Sequence, residues 1–301
     1  MSTSCTPTIF MPAHVTVLMR PGVGLQCGVL PHHCVILPLP NHIAPGQVLQ
    51  VLHLARQPIA REELARALHH CGFNMAMAED IIGELLRAQV LQPRAKRAGP
   101  IYVLNTGVAA KHTGAALERM GIDHHVIDDP ASAGAQLLLT GGEIFLPPDV
   151  HYALMTHHIT HFPHGLVDGR MIMGPLVIPG ATPCLACVDK QYAHMDRGWR
   201  ATRIQAGAKP GPKDRFELDT AALAVATVVR DQLIPMMNSL SEGTEVPERL
   251  LQRRIIRLGT FDTVTDPSAR AYTEQCPVCH MARLGSPRAA VEPRKRNLSP
   301  A

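Results

Sequence analysis

The chain has 301 residues, 46% of them hydrophobic, with 29 Lys and Arg against 25 Asp and Glu; that supports a substantial core and two domains. A formal charge of +4 is too small to make a nucleic-acid surface unless it gathers on one face, and 4% aromatic residues argue against stacking platforms for single strands, so nucleic acid is not an expected partner. The first twenty residues lack a signal-peptide pattern and no apolar run is long enough to span a bilayer, so a cytoplasmic protein with no membrane partner and with reduced cysteines is expected.

Residues 1–12 read as a loose start. Val15–Met19 and Cys34–Leu39 read as short strands, with Pro21-Gly22 and Pro31 as turns and a further strand within Leu25–Leu30. Helical periodicity follows: an apolar segment with Val48, Leu49, Val51 and Leu52, a helix opening at Ile59–Leu64 and carrying Leu64 and Leu68, and another opening at Ala78-Glu79-Asp80 with Ile81, Ile82, Leu85 and Leu86. Val90-Leu91 closes the block as a short strand. Three helices with short strands predict a small winged-helix (α+β) domain over residues 1–94. DNA binding is the usual role of that fold, but these helices are acidic: Glu62, Glu63, Glu79, Asp80 and Glu84 outnumber Arg61, Arg66 and Arg87. A recognition helix presents basic or amide side chains to phosphates and base edges. A peptide- or protein-binding domain is therefore preferred, with a DNA-binding regulator as an alternative.

Arg94–Gly99, with Arg94, Lys96 and Arg97, reads as a linker to a second domain over residues 100–285. Ile101–Leu104 is a strand, Ala109–Met120 a helix capped by Gly121, and His125–Ile127 the next strand, ending at Asp128-Asp129. This is a β-α-β unit of about 27 residues, with an acid about 20 residues past a glycine turn, which is Rossmann spacing. The fingerprint itself is altered. A nucleotide turn uses three glycines for close approach of backbone to phosphate and of helix to strand. Asn105-Thr106-Gly107-Val108-Ala109-Ala110 keeps only Gly107, with the small Ala110 in place of a third glycine. A retained fold with a dead or altered pocket is therefore the preferred reading and ATP a doubtful cofactor; Gly107 and Asp128 are the residues that would contact a nucleotide if one binds. Ala135–Leu139 reads as a strand, Pro147–Met155 as a helix, Ile159 as lying near a strand, Gly165–Met173 as turn and strand, Leu218–Leu233 as one long buried helix, and Arg253–Leu258 as a late strand. Residues 286–301, with Arg294, Lys295 and Arg296, read as a disordered tail.

The strongest chemical signal is two cysteine pairs, Cys184-Leu-Ala-Cys187 and Cys276-Pro-Val-Cys279. Four thiolates are what tetrahedral zinc prefers, and with all positions taken by protein the ion is structural. Each pair is expected in a knuckle loop. A single pair could serve as a redox dithiol, but two pairs favour a shared zinc. His280, adjacent to Cys279, is expected to face solvent or to lie just behind the metal's own ligands. Cys5, Cys27, Cys34 and Cys71 have no metal spacing, with Cys34 and Cys71 expected buried. The run His151, His157, His158, His161 and His164 lacks a His-Glu-x-x-His frame and reads as strand-capping or surface histidines rather than a second metal site. Trp199 is expected to pack against the zinc-bearing part, and Lys209, Lys213 and Arg215 to lie in a mobile loop. No catalytic residue is assigned.

The stretch Gly174-Pro-Leu-Val-Ile-Pro-Gly-Ala-Thr-Pro-Cys-Leu-Ala-Cys187, the patch Asp196–Trp199 and Cys276-Pro-Val-Cys279 resemble the ThiF/MoeB-like, E1-like superfamily. Within it they are most similar to the actinobacterial branch of azole-peptide cyclodehydratase-like, leader-peptide-binding proteins. The resemblance implies an α/β, Rossmann-like E1-type domain with structural zinc on all four cysteines, preceded by a winged-helix domain that takes a leader peptide as an added strand within Val15–Leu39. It also implies a scaffold that presents a precursor peptide or protein to a partner, such as a YcaO-type modifying enzyme, and relatives that commonly form homodimers. An enzyme that adenylates a carboxylate with ATP is the alternative.

Overall fold

The computed structural model describes residues 8–93, 99–134, 137–208, 214–240, 246–266 and 276–284. The chain divides into two compact units, Met1–Lys96 and Arg97–Ala301. The basic clusters at 94–97 and 294–296, Cys5, Lys209, Lys213 and the tail at 286–301 lie outside the described residues.

Unit 1 runs β1 (Thr8–Phe10), β2 (Val17–Arg20), β3 (Gly24–Cys27), β4 (Val35–Pro38), α1 (Pro45–Leu54), β5 (Ile59–Ala60), α2 (Arg61–His70), α3 (Met75–Arg87) and β6 (Gln92–Pro93). Strands β2, β3 and β4 form an antiparallel meander. Helix α3 begins where the Asn74 side chain accepts a 2.8 Å hydrogen bond from the Met77 N–H, which satisfies one of the donors a helix start leaves open. It then buries Ala78, Ile82 and Leu85, spaced to fall on one face. These join Ile9, Leu25, Val48, Leu52, Leu64 and Leu68 in a single core.

Two local expectations change here. Residues 8–10 are not loose: β1 is the central strand of a second sheet, between β5 and β6, and Ile9 is buried. A three-residue strand carries too little periodicity to announce itself, and its pairing partners are distant in sequence. Val90 and Leu91 are buried rather than extended, their N–H groups both donating to the Leu85 carbonyl at the end of α3.

Unit 2 opens with β7 (Ile101–Leu104), α4 (Val108–Arg119), β8 (His124–Ile127), β9 (Leu137–Leu139), α5 (Pro148–Thr156) and β10 (Thr160–Phe162). Their strands form a parallel sheet in the order β10-β9-β7-β8. Strand order thus reverses about β7, as in a doubly wound Rossmann-like sheet. Alternation along β9 covers both faces. Leu137 and Leu139 enter a core with Ala110, Leu117, Val225 and Val229. Leu138 enters another with Leu154, Val177 and the four paired cysteines.

An antiparallel sheet follows, of β11 (His164–Val167), β12 (Arg170–Met173), β13 (Arg253–Arg257) and β14 (Thr263–Asp266). Between β12 and β13 lie α6 (Leu185–Met195), α7 (Trp199–Ala208), α8 (Arg215–Val228) and α9 (Ile234–Leu240); α10 (Pro277–Leu284) comes last. Asp214 caps α8 by accepting from the Phe216 and Glu217 N–H groups. Arg215 is therefore helical rather than part of a loop. The long helix expected over 218–233 instead passes from α8 through a π-helical turn, Val229–Leu233, into α9. Pro235 has no N–H to return to the preceding turn, and the widened segment lies just before it.

Candidate metal centre and switch-point crevice

The two cysteine pairs meet. Cys184 Sγ lies 3.9 Å from Cys187 and 3.7 Å from Cys276, and Cys187 Sγ lies 3.6 Å from Cys279. All four sulfurs fall within 4.8 Å of one another and all four residues are buried; among the described residues this is the one such group of possible metal ligands. Disulfides would need about 2.0 Å, whereas four sulfurs about 2.3 Å from a tetrahedral zinc stand about 3.8 Å apart. The donor set and its spacing fit a structural zinc, with no position left for water.

The local frame differs from the expected knuckle loops. Cys184 is the residue before α6 and Cys187 sits in its first turn; Cys276 and Cys279 stand in the same relation to α10. The Cys187 and Val188 N–H groups donate to the Cys184 carbonyl, and the His280 N–H to that of Cys276. A helical turn puts residues three apart on one side, so each opening aims two sulfurs at one point. Helix N-termini also favour thiolate over thiol. Without a cation the group resists ionisation: hydrogen bonds that the Cys184 thiol donates to Cys187 and Cys279, then burial, push it far above its ordinary value. A bound cation would reverse that balance and release protons. His280 is exposed, as expected.

The second candidate site is the crevice where strand order reverses, past the ends of β7 and β9. Gly107 caps α4 with φ +95°, a conformation that favours glycine, and a Cβ placed on it would meet nothing within 4 Å. Asn105 ties the turn together. Its side-chain NH₂ donates to Asp128 Oδ1 at 2.7 Å, its side-chain oxygen accepts from the Gly107 N–H at 3.3 Å, and its own N–H continues the ladder to Ile127. Gly107 and Asp128 are therefore brought to one exposed corner by a residue that the sequence reading passed over. Facing them, Gly141 and Gly142 follow β9. A Cβ on Gly141 would lie 1.9 Å from the Leu104 carbonyl oxygen, and one on Gly142 2.3 Å from the Ala109 Cβ. Thr106 Oγ1 donates to the Gly141 carbonyl at 2.5 Å. The glycine pair at the end of an apolar strand was the available signal for this second wall.

Of the histidine run, His151, His161 and His164 are buried, while His157 is exposed. His161 Nδ1 lies 2.9 Å from the Ile159 carbonyl and so must be the N–H, leaving Nε2 unprotonated; that atom has no partner among the described residues. Burial, followed by the neighbouring His151, pushes the His161 pKa down to about 3, and burial followed by Arg203 pushes His151 to about 4. Both are neutral at pH 7. His164 Nε2 donates to Thr113 Oγ1 at 3.1 Å, the Thr113 hydroxyl itself donating to Ala109. These are interior residues, not the strand caps or surface groups expected. Cys34 and Cys71 are half-buried, whereas Cys27 is buried. The Trp199 ring lies 4.7 Å from that of Tyr192 of α6, tilted by 59°, and its indole N–H donates to Asp189, also on α6, so it packs against the helix that begins at the first cysteine pair.

No protein-family model matches the chain, and a search of curated proteins finds no match. Solved structures do. A heterocyclase in complex with substrate and cofactor superposes with a TM-score of 0.61 at 16% identity, over 91% of this chain and 40% of its own. The heterocyclase TruD gives 0.59 at 17% identity, over 96% and 45%. E. coli MccB, solved with AMPCPP and MccA, gives 0.54 at 13% identity, over 90% and 99%. The chain shares its fold with these proteins. It spans less than half the length of either heterocyclase and nearly all of MccB. No helix among the described residues is long and apolar enough to cross a membrane.

Proposed function

We propose that this chain is an E1-like protein acting on a peptide, and that the crevice beside Gly107 binds ATP for activation of a carboxylate. The observation that carries the reading is the corner at Asn105. A glycine cap opens α4, whose first N–H groups are free to meet phosphate, and an aspartate is held beside it at the position where a Rossmann-like sheet meets a ribose. The fold is shared with MccB, which was solved with a nucleotide analogue and MccA. In this reading Gly107 gives the phosphates close access, Asp128 accepts from a ribose hydroxyl, and Asn105 fixes Asp128. ATP supplies the leaving group that makes a carboxylate reactive. The zinc on Cys184, Cys187, Cys276 and Cys279 is structural.

Unit 1, over residues 1–94, is in this reading a winged-helix-like peptide clamp. Leu18, Gln26 and Ile36 face one another across β2, β3 and β4, and Leu18 and Ile36 are exposed. The sheet's outer strands, β2 and β4, offer backbone edges to an added strand. The helices offer little to DNA: Arg61 is paired with Glu79 at 2.8 Å and Arg87 with Glu84 at 2.5 Å.

One observation favours a second reading, in which the E1-like domain is a scaffold that hands the peptide to a partner such as a YcaO-type enzyme. The turn at 105–110 keeps a single glycine. Two measurements separate the readings: ATP binding by calorimetry, and peptide-dependent ATP–pyrophosphate exchange. Exchange that fails in an Asp128→Ala variant supports activation. Peptide binding with neither ATP binding nor exchange leaves the scaffold.

A further inference from the structure

The metal centre has a neighbour that the proposed activity does not use. A cleft of about 610 Å³ lies between α5, α6, α7 and α10. Ala186 and Val278, the residues just before the second cysteine of each pair, form part of its wall. The metal therefore holds together the two helices from which that wall is built. The volume is that of a small-molecule site, and at about 30 Å³ per water it has room for on the order of twenty waters against mainly apolar walls.

The charges around the cleft are unequal. Lys190, Arg200 and Arg203 line it against the single carboxylate of Asp189. Asp189 is already engaged: Oδ2 accepts from Arg203 Nε at 2.8 Å and Oδ1 from the Trp199 indole N–H at 3.2 Å. Lys190 and Arg200 are exposed, and neither has an acidic partner among the described residues. The apolar side is provided by Ile204, Ala186 and Val278, and the rings of Tyr152 and Trp199 add flat faces. A ligand that satisfies this wall needs an apolar or aromatic body with one anionic end. A purely apolar ligand would leave two cations uncompensated. A polyanion would find too few cations and too much hydrocarbon.

We infer that this cleft binds a small amphiphilic carboxylate, with its body against Trp199 and Ile204 and its carboxylate taken by Lys190 and Arg200. The site is separate from the Gly107–Asp128 corner in sequence and in the elements that build it, so it suits an effector or an additional substrate rather than the nucleotide.

Trp199 is the chain's only tryptophan, so its emission reports directly on the cleft. The full chain with its metal is titrated with 4-phenylbutanoate, with the neutral 4-phenylbutanamide and with a short acidic peptide. The acid should give a saturable change in emission and the amide should bind at least tenfold more weakly. A Lys190→Glu/Arg200→Glu double variant, checked for metal content and circular dichroism, should lose at least tenfold for the acid and nothing for the amide. An Ala193→Phe variant, which fills the cleft, should lose both. Equal binding of acid and amide, or undiminished binding of acid by the charge-reversed variant, overturns anion recognition. Saturation by the acidic peptide alone overturns the small-molecule assignment, and no saturation by any ligand overturns the site.

Discussion

Removing the metal should release α10 while leaving the parallel sheet intact. Helix α10 has eight residues, Pro277–Leu284, and buries only Cys279 and Ala282, with Val278 and Met281 half-buried. At ~25 cal/mol per Å² the apolar contacts of Ala282, Val278 and Met281 contribute roughly 3–4 kcal/mol. Ordering each residue's backbone costs ~1–2 kcal/mol, and isolated helices shorter than about 12 residues are marginal in water. The apolar contacts therefore do not hold this segment by themselves. A structural zinc couples ~10–16 kcal/mol of apparent binding free energy to folding, which is enough to change the sign. Metal content by mass spectrometry should give one zinc per chain, absent after chelation or in a Cys184→Ser/Cys276→Ser variant. Hydrogen exchange should then show loss of protection across 276–284 and the first turn of α6, with β7, α4 and α8 retaining theirs. Unchanged protection of α10 after verified metal loss would refute the reasoning, as would a full metal complement in the double variant.

Acid should destabilise the chain partly through His161. Its folded pKa lies near 3 and its unfolded value near 6.5. The stability it contributes is therefore complete above about pH 6.5 and lost as pH falls toward 3, at about 1.4 kcal/mol per pH unit once the unfolded form is protonated. Denaturant melts between pH 6 and 4 should show a His161→Gln variant with a slope shallower by about one proton; equal slopes would remove the histidine from the account. Two glycine substitutions should part company. Gly141→Ala drives a Cβ to 1.9 Å from the Leu104 carbonyl oxygen and should cost more than ~3 kcal/mol, adding a backbone clash to the ~1–2 kcal/mol of left-handed strain. Gly107→Ala faces open space and should cost only its backbone strain, about 1–3 kcal/mol for a positive-φ, extended conformation that glycine alone adopts readily; a loss of thermal stability as large as that of Gly141→Ala would contradict the geometry. Asn105→Ala removes two exposed hydrogen bonds, so stability should fall by about 1 kcal/mol or less, while ATP affinity falls at least severalfold by calorimetry. Unchanged affinity would detach Asn105 from the proposed nucleotide corner.

The parts of this molecule legible in its sequence are those with a repeating physical pattern. Ile101–Leu104, the helix after Gly107 and the strand before Asp128 emerge within a residue or two, because apolar periodicity and a glycine cap mark them. The metal group is legible because two close cysteine pairs in one chain have few other uses. Helices α6 and α10 are not, since each begins at a cysteine pair whose spacing suits a loop equally well. Strand β1 is missed because three residues carry no period. Asn105 is invisible as a site residue, since its role depends on Asp128 arriving beside it from a different strand. The burial of His151, His161 and His164 is also hidden, because polar residues signal surface unless a fold encloses them.

Four protein thiolates would leave a bound zinc no open position, yet the influence of the cysteine group need not stop at α10. Leu104, the last residue of β7, and Leu138, the middle residue of β9, belong to the same core as Cys184, Cys187, Cys276 and Cys279. Leu104 is also the residue before Asn105, and its carbonyl oxygen is the atom that excludes any side chain at Gly141. The end of β7 and the middle of β9 are thus seated on the core that holds the four cysteines. Core packing transmits small displacements because it is close to crystal density. Loss of the metal should therefore leave the strands of the parallel sheet hydrogen-bonded while the side-chain packing of Leu104 and Leu138 against the cysteines loosens. In the proposed reading, a structural ion and a nucleotide corner with no ligand in common would be coupled through the side chains of these two leucines.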